Sequence, residues 1–257
     1  MSRPKKYLQT DSRWAKNDYS AKGDGSTIGT AGCGPTAAAM VIATWKNHKV
    51  TPAVTAAWAR EKGYKAPNQG TYYSYFAPQM AFYGIDCKQV NFKNLREMNK
   101  VEAAAYHQRA LQAVQKGNLV IACMGPGLWT SSGHFILWWK VIGEMAHIND
   151  PASSKAEKEL APLERLQREV KYYFICEKPE GFGEEEDEVR YKTVNDVPNT
   201  NGFQDIIKKL MDAKIIGGDG NGTIDLSHDM VRMIVFNYRG GAYDRKLIAM
   251  GMEPAVN

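Results

Sequence analysis

The sequence contains neither a long apolar segment nor an apolar leader. Its longest apolar run, residues 135–142, is interrupted by Lys140 and is far too short to cross a bilayer. The N-terminal residues 1–6 are charged and lack the hydrophobic core of a secretory signal. We therefore expect a chain that has no membrane span and is made in the cytoplasm, so that a target outside the cell is reached only after release.

Cysteine is scarce as well, and its placement excludes some classes of protein. The four cysteines are Cys33, Cys87, Cys123 and Cys176, and no two of them have the spacing of metal ligands. We therefore expect no zinc site and no other cofactor, and a disulfide framework is not expected in a cytoplasmic chain of this size. Three of the cysteines lie in apolar segments typical of buried strands, so only Cys33 has surroundings that suit a reactive thiol.

Charge of one sign is present only in small excess. The net charge is +5, from 33 Lys and Arg residues against 28 Asp and Glu residues. That excess is too small to indicate nucleic-acid binding, although it would favour an anionic surface such as a bacterial wall that carries teichoic acid. With 257 residues and 44% hydrophobic content, the chain can build one large domain and one small one.

Residues 30–40, T-A-G-C-G-P-T-A-A-A-M, place Cys33 between two glycines at the start of an alanine-rich run. The run predicts a helix over residues 35–48, and Pro35 suits its first turn. A thiol at a helix N-terminus lies at the positive end of the backbone dipole, which lowers the thiol pKa and favours the nucleophilic thiolate. Considered alone, Cys33 is equally compatible with a buried structural cysteine.

A base for this cysteine, and a group to orient the base, lie downstream. Residues 133–142 predict a buried strand that begins with His134, and residues 145–148 predict a second strand that is followed by N-D-P. A short turn between these strands would pair them antiparallel and bring Asp150 beside His134. Each residue alone has an ordinary alternative, a strand-end histidine or a turn-forming aspartate. Together with Cys33 they predict a catalytic triad.

The order Cys33, His134, Asp150 resembles that of papain-like cysteine peptidases, specifically the group related to bacteriocin-leader-processing peptidases. Residues 9–14 resemble the Q-x-D-x-R-W opening of that group. Residues 27–29, T-I-G, resemble its pattern before the cysteine. The resemblance implies an α+β domain in which the helix that carries the nucleophile packs on an antiparallel sheet.

The same resemblance, which covers about residues 5–178, implies a role for Gln9. In such enzymes a glutamine side chain joins the backbone N–H of the cysteine in the oxyanion hole, and Gln9 is the residue that matches. Its distance along the chain from Cys33 implies that the glycine-rich insert at residues 21–26 loops out between them.

Other segments of this domain are predicted as cleft wall or scaffold. The loop at residues 125–132 directly precedes His134, so we expect it to form a wall of the substrate cleft, with Trp129 in contact with the substrate. Two helices and a buried strand are predicted at residues 51–62, 102–116 and 118–124. Core packing is favoured over substrate binding for an aromatic cluster made of Tyr72, Tyr73, Tyr75 and Phe76.

The composition changes after residue 178. Residues 178–188 are acidic, contain glycine and offer little to bury, which is typical of a linker. We therefore predict three parts, a papain-like peptidase domain, an acidic linker and a small helical module, at residues 1–178, 179–190 and 191–257.

Within the module, apolar side chains at helical spacing predict helices over residues 203–211 and 227–237. The segment at residues 217–225 is rich in Gly, Asn and Asp and has some likeness to an EF-hand calcium loop. That alignment puts Gly217 at the first ligand position and His228 at the twelfth, where calcium requires carboxylates. A tight turn is therefore favoured, with cation binding as the alternative.

Residues 194–222 resemble a single S-layer-homology-like repeat. They contain D-V-P, then a predicted helix, then K-I-I-G-G and a glycine-rich turn. The T-R-A-E segment that contacts the polymer in that family is replaced here by L-S-H-D-M-V-R at residues 226–232. The resemblance implies a helical frame that binds a wall polymer or assembles subunits, and it leaves the ligand open.

Together these features predict a peptidoglycan hydrolase that resembles a phage endolysin. Cys33 would attack an amide of the wall peptide, with His134 as base and acid and Asp150 orienting the imidazole. Peptidoglycan and a wall polymer would then be the partners, and the protein would act on the bacterial wall after release. A leader-peptide-processing cysteine peptidase is one alternative, and a non-catalytic wall-binding protein on a papain-like frame is another.

Overall fold

The computed structural model of the chain describes residues 3–182, 190–217 and 223–256. The chain divides into two compact units, Met1–Phe182 and Gly183–Asn257. Most of the predicted linker, and the centre of the predicted glycine-rich turn with its alternative of cation binding, lie outside the described residues. Among the described residues, no helix is both long and apolar enough to cross a membrane.

The first unit contains a six-stranded sheet in which every neighbouring pair is antiparallel. In chain order its strands are β1 Cys87–Gln89, β2 Leu119–Met124, β3 His134–Ile142, β4 Met145–Asn149, β5 Leu160–Pro162 and β6 Val170–Cys176. Their order across the sheet is β1-β6-β2-β3-β4-β5, so β2 and β3 lie at the centre.

Helices complete this unit and confirm the predicted α+β class. They are α1 Ile28–Ala31, α2 Cys33–Trp45, α3 Pro52–Glu61, α4 Phe76–Phe82, α5 Lys100–Gln115, α6 Ala156–Glu159 and α7 Leu163–Glu169. Three of these helices match sequence predictions to within about three residues at each end. The helix predicted over residues 35–48 begins two residues earlier, at Cys33, and Gly32 is its N-cap residue.

The sheet is buried on both faces. Alternate residues of β2 point to opposite sides, as the pleat of a strand requires. Leu119 and Ile121 join a core that includes the apolar side chains of α2. Val120 and Ala122 join a second core that includes side chains of α5. The continuous apolar run of this strand follows from its two buried faces.

The β3–β4 hairpin positions the ends of its two strands. Gly143 lies in the connecting turn with φ +55, a left-handed conformation that glycine adopts without steric cost. The register pairs Ile142 with Met145 and Leu137 with Asn149. An irregularity between Trp138 and Lys140 shifts the pairing by one residue. The start of β3 therefore lies close to the residue that follows β4.

The second unit consists of β7 Arg190–Thr193, α8 Phe203–Asp212, β8 Thr223–Ser227, α9 His228–Arg239 and α10 Asp244–Ala249. Both predicted helices are present, and Ser227 caps α9 by accepting the N–H of Met230. The description of this module as helical needs a correction, because β7 and β8 pair as an antiparallel sheet. Burial of Ile224 and Leu226, which alternate with polar residues, favours the strand.

Candidate active site

The candidate nucleophile, Cys33, lies at the first position of α2 and is partly exposed as a residue. A Cβ at Gly32 would lie 2.5 Å from the carbonyl oxygen of Ile28, so only glycine fits between α1 and α2. A Cβ at Gly34 would lie 2.7 Å from Oγ1 of Thr71, so the second glycine allows this part of the chain to approach the thiol. The thiol therefore lies at the positive end of a helix, with Thr71 close to its second glycine.

The β3–β4 hairpin brings His134 and Asp150 together. Nε2 of His134 lies 2.7 Å from Oδ1 of Asp150. Both side chains are buried, with 8% and 0% of their surface exposed. The same carboxylate oxygen accepts the N–H of Ala152 at 2.8 Å, which fixes its orientation. Nδ1 of His134 is left for the hydrogen bond with the thiol of Cys33, so the structure joins the three predicted residues in one chain of contacts.

These contacts change the pKa values of both reacting groups. Burial raises the pKa of the Cys33 thiol, but the hydrogen bond and charge of His134, with the N–H groups of Phe135 and Gly34, bring it below its ordinary value. Burial lowers the pKa of His134, but the hydrogen bonds with Asp150 and Cys33 raise it to about 9. Both shifts favour a thiolate beside an imidazolium, which is the reactive state of a cysteine nucleophile.

Gln9 is anchored close to the same elements. Its Nε2 donates to the carbonyl of Gly29 at 2.8 Å, and its backbone N–H donates to the carbonyl of Pro151 at 2.8 Å. Its Oε1 is buried and has no hydrogen-bond partner among the described residues. Since Gln9 is not among the residues that line the cleft, its role in an oxyanion hole stays a prediction.

The insert at residues 21–26 is folded against the site. Nζ of Lys65 lies 2.7 Å from Oδ2 of Asp24, and only 1% and 2% of the two side chains are exposed. The hydrogen bond from Lys65 is the largest cause that lowers the pKa of Asp24. The same carboxylate accepts the N–H of Asn68 at 2.8 Å. Because Asn68 lines the cleft, this insert supports the cleft wall.

A cleft of about 550 Å³ opens beside Cys33. Besides Cys33, it is lined by Ala66, residues 68–73, residues 132–135, Cys123 and Lys171. The prediction of core packing holds for half of the aromatic cluster. Tyr75 and Phe76 are fully buried, whereas Tyr72 and Tyr73 line the cleft. Lys171 was not predicted as a cleft residue, although a lysine within the apolar strand V-K-Y-Y-F-I-C was a signal for it.

The expectation that Trp129 contacts the substrate is corrected by its position. Its side chain is 3% exposed and packs in the core on the α5 side of the sheet. Its Nε1 donates to the carbonyl of Lys158 at 2.9 Å, so the indole is satisfied without a ligand. Glu169 holds the preceding turn by accepting the N–H of Leu128 at 2.6 Å. Only the end of this loop, residues 132–133, reaches the cleft.

Comparison with known proteins identifies a family for the first unit. The family described as Peptidase_C39 like family matches residues 10–175 of the chain. No curated protein sequence is detectably similar to it.

Two solved structures show a limited likeness. One is a double glycine motif protease from an AMS/PCAT transporter in complex with the leader peptide, 19% identical, with a TM-score of 0.37, covering 57% of this chain and 84% of that one. The other is the peptidase domain of Streptococcus ComA, a bi-functional ABC transporter, 16% identical, with a TM-score of 0.39, covering 58% and 93%.

Proposed function

The chain belongs to the Peptidase_C39-like family of cysteine peptidases, and from that premise we propose that Cys33, His134 and Asp150 hydrolyse an amide bond of a peptide substrate. The observation that carries this proposal is the hydrogen-bonded chain from the Asp150 carboxylate through the imidazole to a thiol at a helix N-terminus. A binding protein without activity would gain nothing from the lowered pKa of this thiol.

The reaction takes place in two steps of acyl transfer. The thiolate of Cys33 attacks the carbonyl carbon, and the imidazolium of His134 gives its proton to the leaving amine as the C–N bond breaks. The product of this step is a thioester on Cys33. Neutral His134 then takes a proton from water, the resulting hydroxide attacks the thioester, and the acid product leaves as the C–S bond breaks. Asp150 holds the imidazole in one orientation through both steps.

The developing oxyanion requires hydrogen-bond donors. The backbone N–H of Cys33 is one candidate, because the first N–H groups of a helix have no partner within it. Gln9 is the other. The carbonyl of Gly29 takes one hydrogen of its amide group, and the second hydrogen remains for the oxyanion. In this arrangement the carbonyl of Gly29 fixes the direction of the Gln9 amide.

Two substrates are candidates for this chemistry. Membership of the family favours a leader peptide, which is processed by the peptidases that this chain resembles in its Cys, His and Asp motifs. The second candidate is the peptide of peptidoglycan. The observation in favour of it is the separate second unit, whose residues 194–222 resemble a wall-binding repeat. In that case peptidoglycan and a wall polymer are the partners, and the protein acts on the wall after release.

One experiment tests the reaction and separates the two substrates. The native chain, Cys33→Ala and the matched control Cys87→Ala, which changes a cysteine outside the cleft, are incubated with purified Gram-positive sacculi and, separately, with a synthetic leader peptide that contains a Gly-Gly site. We expect the native chain and Cys87→Ala to release new amino termini, detected by mass spectrometry, and Cys33→Ala to lose about 10⁴-fold or more of this rate.

The outcome also decides between the candidates. Release from sacculi alone assigns the wall peptide, and release from the linear peptide alone assigns the leader peptide. Equal activity of the native chain and Cys33→Ala would show that Cys33 is not the nucleophile.

A further inference from the structure

The cleft contains one cationic side chain that the reaction does not use. Lys171 lines the cleft together with Cys33 and His134, and no Asp or Glu is among the described lining residues. Within the described part of the chain, no carboxylate lies at ion-pair distance from the Lys171 ammonium. Lys171 is partly exposed in this open cleft, so its ammonium group is free to pair with an anionic group of a ligand.

A β-bulge in β6 turns Lys171 toward the cleft. The pairing of β6 with β2 matches Cys123 with Tyr172 but Met124 with Val170, so Lys171 is an extra residue without a partner in β2. Tyr173 and Ile175 point into the core on the α5 side. By simple alternation Lys171 would point there as well. The bulge shifts the alternation, so that Lys171 lines the cleft and Val170 joins the core.

The ammonium group of Lys171 lies close to the residue that precedes His134 in the sequence. A Cβ built on Gly133, the residue before His134, would lie 3.3 Å from Nζ of Lys171. The charge of Lys171 also lowers the pKa of Cys123 against the larger effect of burial, so its field acts within the cleft. A substrate bound for attack by Cys33 therefore passes beside this cation.

We propose that Lys171 binds a carboxylate of the substrate near the scissile amide, so that the enzyme selects anionic peptides. This inference rests on the proposed function and specifies its substrate. The carboxylate is supplied by an Asp or Glu side chain of a linear peptide or by the free α-carboxylate of a γ-linked glutamyl residue in a wall peptide. The flexible stem of lysine allows one ammonium to reach either group, and charge-assisted hydrogen bonds strengthen as water is excluded.

The test uses pairs of peptides that differ only in charge. In the linear pairs, one position next to the cleaved bond at a time carries either Glu or Gln. A γ-linked pair carries the free α-carboxylate of glutamate or its amide. For the native chain, we expect kcat/KM to be about 10- to 100-fold higher for the acid of the preferred pair, the effect of one charge-assisted hydrogen bond.

Variants of Lys171 test whether its charge sets the preference between acid and amide. Lys171→Met should abolish the preference for the acid over the amide, and Lys171→Glu should prefer a peptide with Lys at the same position. Lys93→Met, which removes an exposed lysine outside the cleft, should behave as the native chain does. The pair that shows the difference identifies the source of the carboxylate.

Binding to Cys33→Ala, measured by calorimetry, separates this inference from the proposed function. If Lys171→Met cleaves with an unchanged ratio of acid to amide, the carboxylate site is wrong and the peptidase assignment stands. If the native chain cleaves none of the peptides, but Cys33→Ala binds the acid and Cys33→Ala/Lys171→Met does not, hydrolysis is wrong and the carboxylate site stands. Equal binding of acid and amide would overturn the site in either case.

Discussion

Two thiols line one cleft and have opposite character. Burial acts to raise the pKa of both thiols, Cys33 and Cys123. At Cys33, His134 and the N–H groups around the helix terminus outweigh burial, and the pKa falls below its ordinary value. At Cys123, in the middle of the sheet, burial dominates and the pKa rises to about 11. The comparison shows that hydrogen-bonded partners, and not depth in the protein, make a cysteine reactive.

The largest expected effect is a difference in alkylation rate between these two thiols. With a pKa of about 11, Cys123 is a thiolate in only about one molecule in 10⁴ at pH 7, whereas the pKa of Cys33 lies below its ordinary value because of its contact with His134. We expect iodoacetamide to modify Cys33 about 10³-fold faster or more, as measured by mass spectrometry of digested protein after timed quenching.

Cys33→Ala is the control for this measurement, since any label that remains reports the slow sites. Faster modification of Cys123 than of Cys33 in the native chain would show that Cys33 is not the more reactive thiol.

A smaller effect is expected when the partner of the imidazole is changed. Asp150→Asn replaces the carboxylate, whose hydrogen bond and charge raise the pKa of His134, with a neutral amide, so Cys33 becomes more similar to Cys123. We expect kcat/KM to fall about 10- to 1,000-fold, in the range of general acid–base and orienting residues. Asp86→Asn, which removes an exposed carboxylate beside Lys88, is the matched control.

The pH–rate profile of Asp150→Asn shows in which direction the carboxylate shifts the pKa of His134. Activity requires Cys33 as thiolate and His134 as imidazolium, so the native rate should rise as the pair forms and decline as His134 loses its proton near pH 9. Loss of the Asp150 charge removes a cause that raises the pKa of His134, and the alkaline limb should move to lower pH. An unchanged alkaline limb in Asp150→Asn would show that this carboxylate does not set the pKa.

The parts of this site that follow local rules could be predicted from the sequence. Cys33 was placed at a helix start because glycine, proline and alanine determine the turn and the helix locally. The contact of His134 with Asp150 could be predicted because a short turn limits the register of two adjacent strands. The roles of these residues in catalysis stay predictions, since only their positions are now known.

Other features depend on contacts between distant parts of the chain. The loop that carries Trp129 is directed by Glu169, some forty positions downstream in the sequence, so its nearness to His134 along the chain was misleading. The cleft position of Lys171 depends on a bulge relative to β2, and alternation along a strand does not reveal a bulge. The short sheet of the second unit likewise pairs two segments that are separated by a helix.

The smallest effect concerns the space between the nucleophile helix and the cleft wall. Gly34→Ala would place a Cβ 2.7 Å from Oγ1 and 2.9 Å from Cβ of Thr71. Thr71 cannot move freely, because its hydroxyl lies 2.7 Å from the hydroxyl of buried Tyr19. We expect the free energy of unfolding, measured by urea titration, to fall by about 1–3 kcal/mol, as for other overpacked sites.

The wall next to Cys33 should also shift, so the rate of alkylation at Cys33 is expected to change severalfold, with no change at Cys123. The double variant Gly34→Ala/Thr71→Ala is the control, because removing Oγ1 clears the nearest contact. If the steric argument is right, the double variant recovers part of the stability lost by Gly34→Ala, a non-additive result that marks residues in contact. Fully additive losses would instead assign the effect of Gly34→Ala to the helix backbone, and the tight approach of Thr71 would then contribute nothing to the difference between the two thiols.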